Sequence, residues 1–231
     1  MLMMVSAVQQ GLNMLKSFCF LLSFFISSHA YAQFYSARGT APGSFDFYVL
    51  ALSWSSGFCE KIGDAQGKKQ CDIGSNIGFT VHGLWPQYER GFPSDCGYAT
   101  RPPSSIAMQK TEGVFPDIGL ARYEWKKHGT CSGLSPADYF DAVKAARDRI
   151  VIPQNFQAPR TLQSLSPVDV IRAFTAENRG LRSDMMAVTC TQGVLEEVRV
   201  CFEKDLRSFR TCPEVARQGC RSSQISVPPV R

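Results

Sequence analysis

The chain has 231 residues, with 25 basic and 20 acidic side chains and a formal net charge of +5. This mild positive charge is compatible with a polyanionic partner but does not by itself indicate one. The sequence contains no run of lysine or arginine, no internal repeat and no low-complexity segment. These features exclude a repeat architecture and an extended basic tail.

Residues 1–32 are predicted to be a secretory signal peptide. They contain no acidic residue and one basic residue, Lys16, which precedes the apolar run S-F-C-F-L-L-S-F-F-I-S. The sequence A-Y-A then provides a small-x-small cleavage site after Ala32. Because a transmembrane helix needs about 20 apolar residues, a retained membrane anchor is the weaker alternative.

Cleavage after Ala32 would leave residues 33–231, which is about the size of one domain. Translation starts at Met1 or at Met14, where a more usual signal sequence begins. The mature protein is expected to be exported to the periplasm or the medium, as a monomer without stable membrane association. It has no N-x-S/T glycosylation acceptor, which mildly favours a bacterial source.

Four segments rich in aromatic and β-branched residues are predicted to be strands. They are Phe47–Ser55, Ile77–His82, Met185–Thr191 and Val194–Phe202. The second strand would end at His82, before a rigid turn at Trp85-Pro86, and the last two would be adjacent. Residues 89–118 are rich in glycine and proline and are predicted to be loop with short helical turns. The polar tail from Ser222 is predicted to be loosely held.

Three helices are predicted after the second strand. A helix over Arg122–His128 would place Glu124, Lys127 and His128 on one face, at positions i, i+3 and i+4, and Gly129 would end it.

Ser135-Pro136 and Ser166-Pro167 each place a cap before a proline, which is typical of a helix start. The first of these helices would bury one apolar face, which consists of Tyr139, Phe140, Val143 and Ile150. The second helix would stop at Gly180. Strands and helices that do not alternate regularly indicate the α+β class.

Two histidines remain after removal of the leader, because His29 lies within it. His82 occurs in F-T-V-H-G-L-W-P-Q, and His128 in E-W-K-K-H-G-T-C. A lone histidine is most often an ordinary polar residue. Two histidines that titrate near neutrality can act as a base and an acid, and both occur here in compact, unusual motifs.

Of the nine cysteines, Cys19 belongs to the leader and eight remain. An even number in an exported protein predicts disulfides, although the count does not give the pairing. No C-x-x-C pair is present, so a zinc site is not indicated, and no metal or other cofactor is expected.

The segments Phe79–Gln87 and Glu124–Cys131 resemble the two active-site motifs of the ribonuclease T2 family, H-G-L-W-P and E-W-x-K-H-G-T-C. They occur in the family's order, and the resemblance extends more loosely from Phe47 to the last cysteines. It implies an α+β fold: a single catalytic domain with a largely antiparallel central sheet flanked by helices. It also implies the disulfides Cys96–Cys131, Cys190–Cys220 and Cys201–Cys212, which leaves Cys59–Cys71.

The resemblance further implies a metal-independent endoribonuclease with little base specificity for single-stranded RNA. In this family the 2′-hydroxyl attacks the neighbouring phosphate and yields a 2′,3′-cyclic phosphate, so DNA should be refractory. His128 would be the general base and His82 the general acid, while Glu124 and Lys127 stabilise the transition state. Glu124 could instead orient His128 or act protonated. Lys126 is expected to be a solvated neighbour.

Two further residues are candidates for substrate binding. Many family members have a histidine before the motif glutamate, and the present chain has Tyr123, an uncharged donor. This predicts weaker binding and a less acidic pH optimum. Trp85 could stack on an unpaired base, or it could brace the loop as a core residue. Tyr88 and Phe92 are weaker candidates for stacking.

Two rival functions remain open. A cysteine hydrolase would use Cys131 near His128, and this requires a free thiol. The other rival is an exported RNA-binding or toxin-like module of the same fold that has lost catalysis. Retention of both histidines with Glu124 and Lys127 argues against it.

Overall fold

The computed structural model describes residues 36–97 and 102–231, and a six-stranded sheet forms its centre. The described strands are β1 (Ser36–Arg38), β2 (Phe47–Trp54), β3 (Phe79–Gln87), β4 (Phe92–Ser94), β5 (Gln163–Leu165), β6 (Met186–Thr191), β7 (Val194–Phe202) and β8 (Ile225–Val227). The predicted leader and its cleavage site, with Cys19 and His29, lie outside the described residues and stay predictions. The part of the chain that the structure describes contains no helix with the length and hydropathy of a membrane span.

The described helices lie mainly between β4 and β6. They are α1 (Ser55–Phe58), α2 (Ser105–Gln109), α3 (Ile118–Lys127), α4 (Pro136–Asp148), α5 (Pro167–Glu177) and α6 (Pro213–Ala216). Short 3-10 turns cover Lys69–Cys71, Gly129–Cys131, Gln154–Phe156 and Ser183–Met185, and a π turn covers Cys59–Gly63.

The sheet is largely antiparallel, as the resemblance implied. Its strand order is β3-β2-β7-β8-β5, and β6 also pairs with β7. Only the contact between β7 and β8 is parallel, through Val194 and Ser226. A separate parallel pair joins β1 to β4. The predicted strands Met185–Thr191 and Val194–Phe202 are confirmed as the antiparallel neighbours β6 and β7. The α+β fold class is therefore confirmed.

Strand β3 continues through the whole H-G-L-W-P-Q segment, so the predicted turn at Trp85-Pro86 is wrong. Pro86 is tolerated because β3 is an edge strand, where one side of the backbone needs no hydrogen-bonding partner. The pairing with β2 shifts between Ala51 and Leu52, and His82 is the extra residue of a bulge. The bulge turns the His82 side chain out of the regular alternation of the strand.

The starts of the two capped helices are confirmed, but the second helix ends at Glu177 rather than at Gly180. The hydroxyls of Ser135 and Ser166 each accept a backbone N–H at the start of α4 and α5. Tyr139, Phe140 and Val143 are buried on α4 as predicted. Ile150 is also buried, but it follows the end of the helix. Together with the inner face of the sheet, these helices enclose the main hydrophobic core.

Helix α3 is longer than predicted and ends differently. It begins at Ile118, where Asp117 accepts the Leu120 N–H, and it ends at Lys127, with His128 as the C-cap. Gly129 does not end the helix through a left-handed conformation. A Cβ atom at Gly129 would lie 2.5 Å from Trp125 and 2.9 Å from Tyr139. The glycine is therefore required by close packing.

The C-terminal tail is firmly held, contrary to the prediction. Ile225 and Val227 belong to β8 and are buried. The carbonyl of Pro228 accepts the Trp54 indole N–H at 3.0 Å. Arg231 pairs with Asp64 at 2.5 Å. The composition of the tail suggested exposure, but its apolar residues alternate and fill the edge of the core.

All four expected disulfides are present: Cys59–Cys71, Cys96–Cys131, Cys190–Cys220 and Cys201–Cys212. Cys131 therefore has no free thiol, which removes the cysteine hydrolase hypothesis. Asp64 lies close to the sulfur atoms of Cys59 and Cys71, but both sulfurs are already oxidised in their disulfide. The Cys96–Cys131 bond links the segment after β4 to the turn that follows His128.

Candidate active site

All six predicted site residues line one cleft of about 390 Å³. They are His82, Trp85, Tyr123, Glu124, Lys127 and His128. Strand β3 supplies the first two residues, and α3 with its C-cap supplies the other four. Of the two weaker candidates, Phe92 lines the cleft, whereas Tyr88 packs against the hydrophobic core.

The His82 ring lies between the carboxyl groups of Glu197 and Glu124. Its Nδ1 is 2.5 Å from Oε1 of Glu197, and its Nε2 is 3.6 Å from Oε1 of Glu124. Burial acts to lower the pKa of His82. The hydrogen bond and charge of Glu197, together with the charge of Glu124, outweigh burial and the opposing charge of Arg199. The pKa is therefore raised above 6.5, and His82 is charged at mildly acidic pH.

Glu124 is almost completely buried beside His82 and Trp85. Its Oε2 accepts the Trp85 indole N–H at 2.7 Å. Gly83 lies beneath the carboxyl group, where any Cβ atom would overlap it. Burial raises the pKa of Glu124 to about 7, although His82, Trp85 and Lys127 each act to lower it. The described polar contacts of its carboxyl group are with Trp85 and His82, so a role of this group in orienting the His128 ring is not supported.

His128 differs from His82 in its surroundings. Its ring lies 5.4 Å from that of Trp85 and 6.1 Å from that of Phe92, measured between centroids. Its Nδ1 is buried and has no hydrogen-bonding partner among the described residues. Burial, with the positive charges of Lys127 and His82, lowers the pKa of His128 to about 3. The imidazole is therefore neutral over most of the accessible pH range.

Lys127 and Tyr123 form the exposed edge of the cleft. The Lys127 ammonium donates to the Tyr123 hydroxyl at 3.0 Å, which combines a charge and a hydroxyl at one point. Tyr123 is half exposed. Lys126 is exposed and does not line this cleft, in agreement with its interpretation as a solvated neighbour.

Trp85 combines the two roles that the sequence left open. It lines the cleft, and it also packs against a small apolar cluster beneath it that includes Val49 and Val215. Its ring meets that of His82 edge-on at 5.2 Å, and the guanidinium of Arg199 lies 5.3 Å from its centroid. Trp85 therefore braces Glu124 and His82 in addition to forming part of the cleft wall.

Sequence reasoning missed Glu197 and Arg199, which lie on β7. Arg199 lines the cleft, and Glu197 contacts His82. Arg199 donates to Oε2 of Glu197 through Nε at 2.8 Å. Burial acts to raise the pKa of Glu197, but His82 and Arg199 lower it to about 2. Side chains at positions i and i+2 of a strand share one face. This spacing of an acidic and a basic residue could have indicated the pair in the sequence.

The arrangement agrees with the resemblance carried by the two motifs. A model of the ribonuclease T2 family matches residues 45–212, most of the described chain. The protein belongs to the ribonuclease T2 family. That range includes both motifs and seven of the eight disulfide cysteines, and only Cys220 lies beyond it.

Curated ribonucleases show the same relationship. A ribonuclease of Aeromonas hydrophila is 46% identical over 115 residues, which is 49% of this chain and 49% of the relative. The chain thus spans about half the length of that protein. Ribonuclease DdI of Dictyostelium discoideum is 27% identical over 214 residues, covering 86% of this chain and 92% of the relative.

Among solved structures, a ribonuclease-related protein from Calystegia sepium superposes with a TM-score of 0.61 at 23% identity. The superposition covers 81% of this chain and 98% of that protein. At this identity the likeness establishes the ribonuclease T2 fold.

Proposed function

We propose that residues 33–231 form an exported, metal-independent endoribonuclease that cleaves single-stranded RNA with low base specificity. Membership of the ribonuclease T2 family supports endoribonuclease activity. The single observation that carries the mechanism is that one cleft contains two histidines in opposite surroundings: His82 contacts the Glu197 carboxylate, and His128 has a buried Nδ1 with no partner among the described residues. The raised pKa of His82 keeps it protonated, so that it can donate a proton, and the lowered pKa of His128 leaves it unprotonated, so that it can accept one.

In the first step, His128 takes the proton of the 2′-hydroxyl while the 2′-oxygen forms a bond to phosphorus. The bond between phosphorus and the 5′-oxygen breaks, and His82 gives its Nε2 proton to that oxygen. The products are a 2′,3′-cyclic phosphate and a free 5′-hydroxyl. In the second step the two roles reverse, and water opens the ring to a 3′-phosphate.

Lys127, Tyr123 and Glu124 would stabilise the phosphorane-like transition state. Lys127 supplies positive charge, and the hydroxyl of Tyr123 beside it supplies a donor in place of the histidine common in the family. A buried carboxyl with a pKa of about 7 is largely protonated at mildly acidic pH. Glu124 can then donate to a phosphate oxygen, which removes the repulsion between a carboxylate and a phosphate.

The substrate supplies the nucleophile, so the first step requires no activated water and no metal ion. DNA lacks the 2′-hydroxyl and would not be cleaved. Trp85 and Phe92 offer aromatic surface in the cleft, and stacking on aromatic rings accepts every base. The four disulfides fit an oxidising compartment such as the periplasm or the medium.

The test is digestion of a single-stranded oligoribonucleotide in excess EDTA, beside the same sequence with a single 2′-deoxy sugar at the scissile position. Cleavage with 2′,3′-cyclic phosphate ends is expected only for the first substrate. His82→Ala and His128→Ala should abolish it, while Lys126→Ala should retain it. Sensitivity to EDTA or cleavage at the deoxy position would refute the mechanism. RNA binding without cleavage would favour the catalytically silent module.

A further inference from the structure

Two charged side chains beneath His82 have no part in the mechanism described so far. Glu197 and Arg199 project from the same face of β7 towards the cleft. Glu197 is nearly fully buried, and Arg199 is mostly buried. A buried ion pair is costly to desolvate, and its geometry has to be very good to compensate. The ion pair of Glu197 and Arg199 lies directly under His82, so a role in the function of that histidine would explain why the pair is buried there.

Both oxygens of Glu197 are fully engaged. Oε1 contacts Nδ1 of His82 at 2.5 Å and accepts the Ser53 hydroxyl at 3.3 Å. Oε2 accepts from Nε of Arg199 at 2.8 Å and forms an ion pair with Nη2 at 2.7 Å. Arg199 is itself fixed, because its Nη1 donates to Oε1 of Gln218 at 2.8 Å. The carboxylate cannot rotate without breaking several bonds at once.

This geometry determines which nitrogen of His82 carries the exchangeable proton. An ionised carboxylate only accepts hydrogen bonds, so Nδ1 of His82 must be the donor to Glu197. The proton that is gained and lost then lies on Nε2. That nitrogen is on the side of the ring facing Glu124, at 3.6 Å.

We propose that Glu197 is a positioning residue for the general acid: it fixes the His82 ring with Nδ1 protonated, so that Nε2 presents the transferable proton to the leaving 5′-oxygen. Arg199 keeps Glu197 ionised and holds its carboxylate in place. The proposal rests on the assignment of His82 as the acid in the proposed function. It adds a residue from β7, a strand outside both sequence motifs.

The charges around His82 support this assignment. Charged or titratable groups face it from β7, from α3 and its C-cap, and from an adjoining cleft. They are Glu197, Arg199, Tyr123, Glu124, Lys127, His128, Lys68 and Asp117. Lys68 and Asp117 pair with each other at 3.5 Å. Of these groups, Glu197 makes the shortest contact with the His82 ring and has the largest part in keeping it protonated against burial.

The first test is Glu197→Gln. Arg199 would draw the amide oxygen towards itself, so the amide NH₂ would face Nδ1 of His82. That arrangement opposes a proton on Nδ1 and therefore opposes the charged acid. We expect kcat on RNA to fall about 100-fold, within the range that general acid catalysis contributes, with KM nearly unchanged. The alkaline limb of the kcat profile should move to lower pH.

A second substrate separates proton donation from general damage. In a nucleoside 3′-(4-nitrophenyl phosphate), the 2′-oxygen displaces 4-nitrophenolate, which leaves without needing a proton. The Glu197→Gln defect should nearly disappear on this substrate. Glu196→Gln is the matched control, because Glu196 is the preceding residue on β7 and pairs with Lys61 on the surface. It should match the parent on both substrates. An equal loss on both substrates in Glu197→Gln, or an unmoved alkaline limb, would overturn the proposal.

A measurement on the unmodified protein keeps the proposal testable if the variant does not fold. Nitrogen-15 chemical shifts of His82, assigned by their loss in His82→Gln, report the neutral tautomer at pH above its pKa. The Nδ1–H tautomer is expected, and the Nε2–H tautomer would refute the role of Glu197. This readout does not depend on ribonuclease activity. Failure to cleave RNA would therefore refute the proposed function and leave the positioning of His82 to be judged separately.

Discussion

Replacing Glu124 by glutamine should stabilise the protein at alkaline pH and leave its stability unchanged at acidic pH. Burial raises the pKa of Glu124 from 4.5 to about 7 in the folded protein. Between these values the unfolded chain has released a proton that the folded chain still holds. The free energy of unfolding therefore falls as the pH rises from about 4.5 to about 7, and it stays low above that range. Glutamine is neutral at every pH and avoids this loss.

The size of the effect follows from the same values. A change of one pKa unit corresponds to about 1.36 kcal/mol, so a rise from 4.5 to about 7 corresponds to roughly 3 kcal/mol. Glutamine has nearly the same shape, and its oxygen can still accept the Trp85 indole N–H. For a chain of this size, each kcal/mol shifts the melting temperature by about 2–4 °C. The expected gain at pH 8 is therefore roughly 6–12 °C.

The assay is thermal and urea unfolding of the parent and Glu124→Gln at pH 4 and pH 8. Glu112→Gln serves as the control, because it removes the same charge from an exposed site. Equal stability of parent and variant at pH 8, or a gain of the same size at pH 4, would show that burial of this carboxyl is not the source of the cost.

Three further variants and one pH profile test the remaining assignments. The pH profile of kcat/KM reports the free enzyme. Its acid limb should lie well below pH 6.5, because the pKa of His128 is about 3. An acid limb at pH 6.5 would contradict a neutral, buried His128 as the base. Lys127→Ala should lower kcat about 100-fold in steady-state cleavage, whereas Lys126→Ala should not, and equal effects would remove Lys127 from the site. Tyr123→His should tighten RNA binding and move the pH optimum towards acid, as titrated activity would show; unchanged binding and profile would refute a phosphate contact at this position. Deleting residues 225–231 removes the buried side chains of Ile225, Val227 and Val230. Because burying each aliphatic side chain contributes about 1.5–3 kcal/mol, the free energy of unfolding should fall by at least about 4 kcal/mol. An unchanged midpoint of urea unfolding would mean that the tail does not stabilise the core.

The boundaries of several elements could be predicted because their signals are local. A serine followed by proline determines where α4 and α5 begin, since the cap hydroxyl and the fixed proline φ act within one turn of helix. The antiparallel strands β6 and β7 are separated by two residues and carry their own alternation. The two histidine motifs are also local, and they indicated the family and six residues of the cleft.

Other features depend on residues far apart in the chain. Glu197 contacts His82 across 115 positions, and nothing near Glu197 in the sequence indicates that partner. The tail after Ser222 has a polar composition, yet its Pro228 carbonyl and its Arg231 side chain bind Trp54 and Asp64 across more than 160 positions. Composition reports how a segment would behave alone, whereas burial depends on which surfaces meet it.

The sequence by itself determined the family, the α+β class and the identity of the two histidines. Only the tertiary structure decided their protonation. The same imidazole side chain is raised in pKa at His82 by a buried carboxylate and lowered at His128 by burial beside cations. A pKa depends on desolvation and on charges within a few ångströms, and these are supplied by β7 and α3 only after the chain has folded.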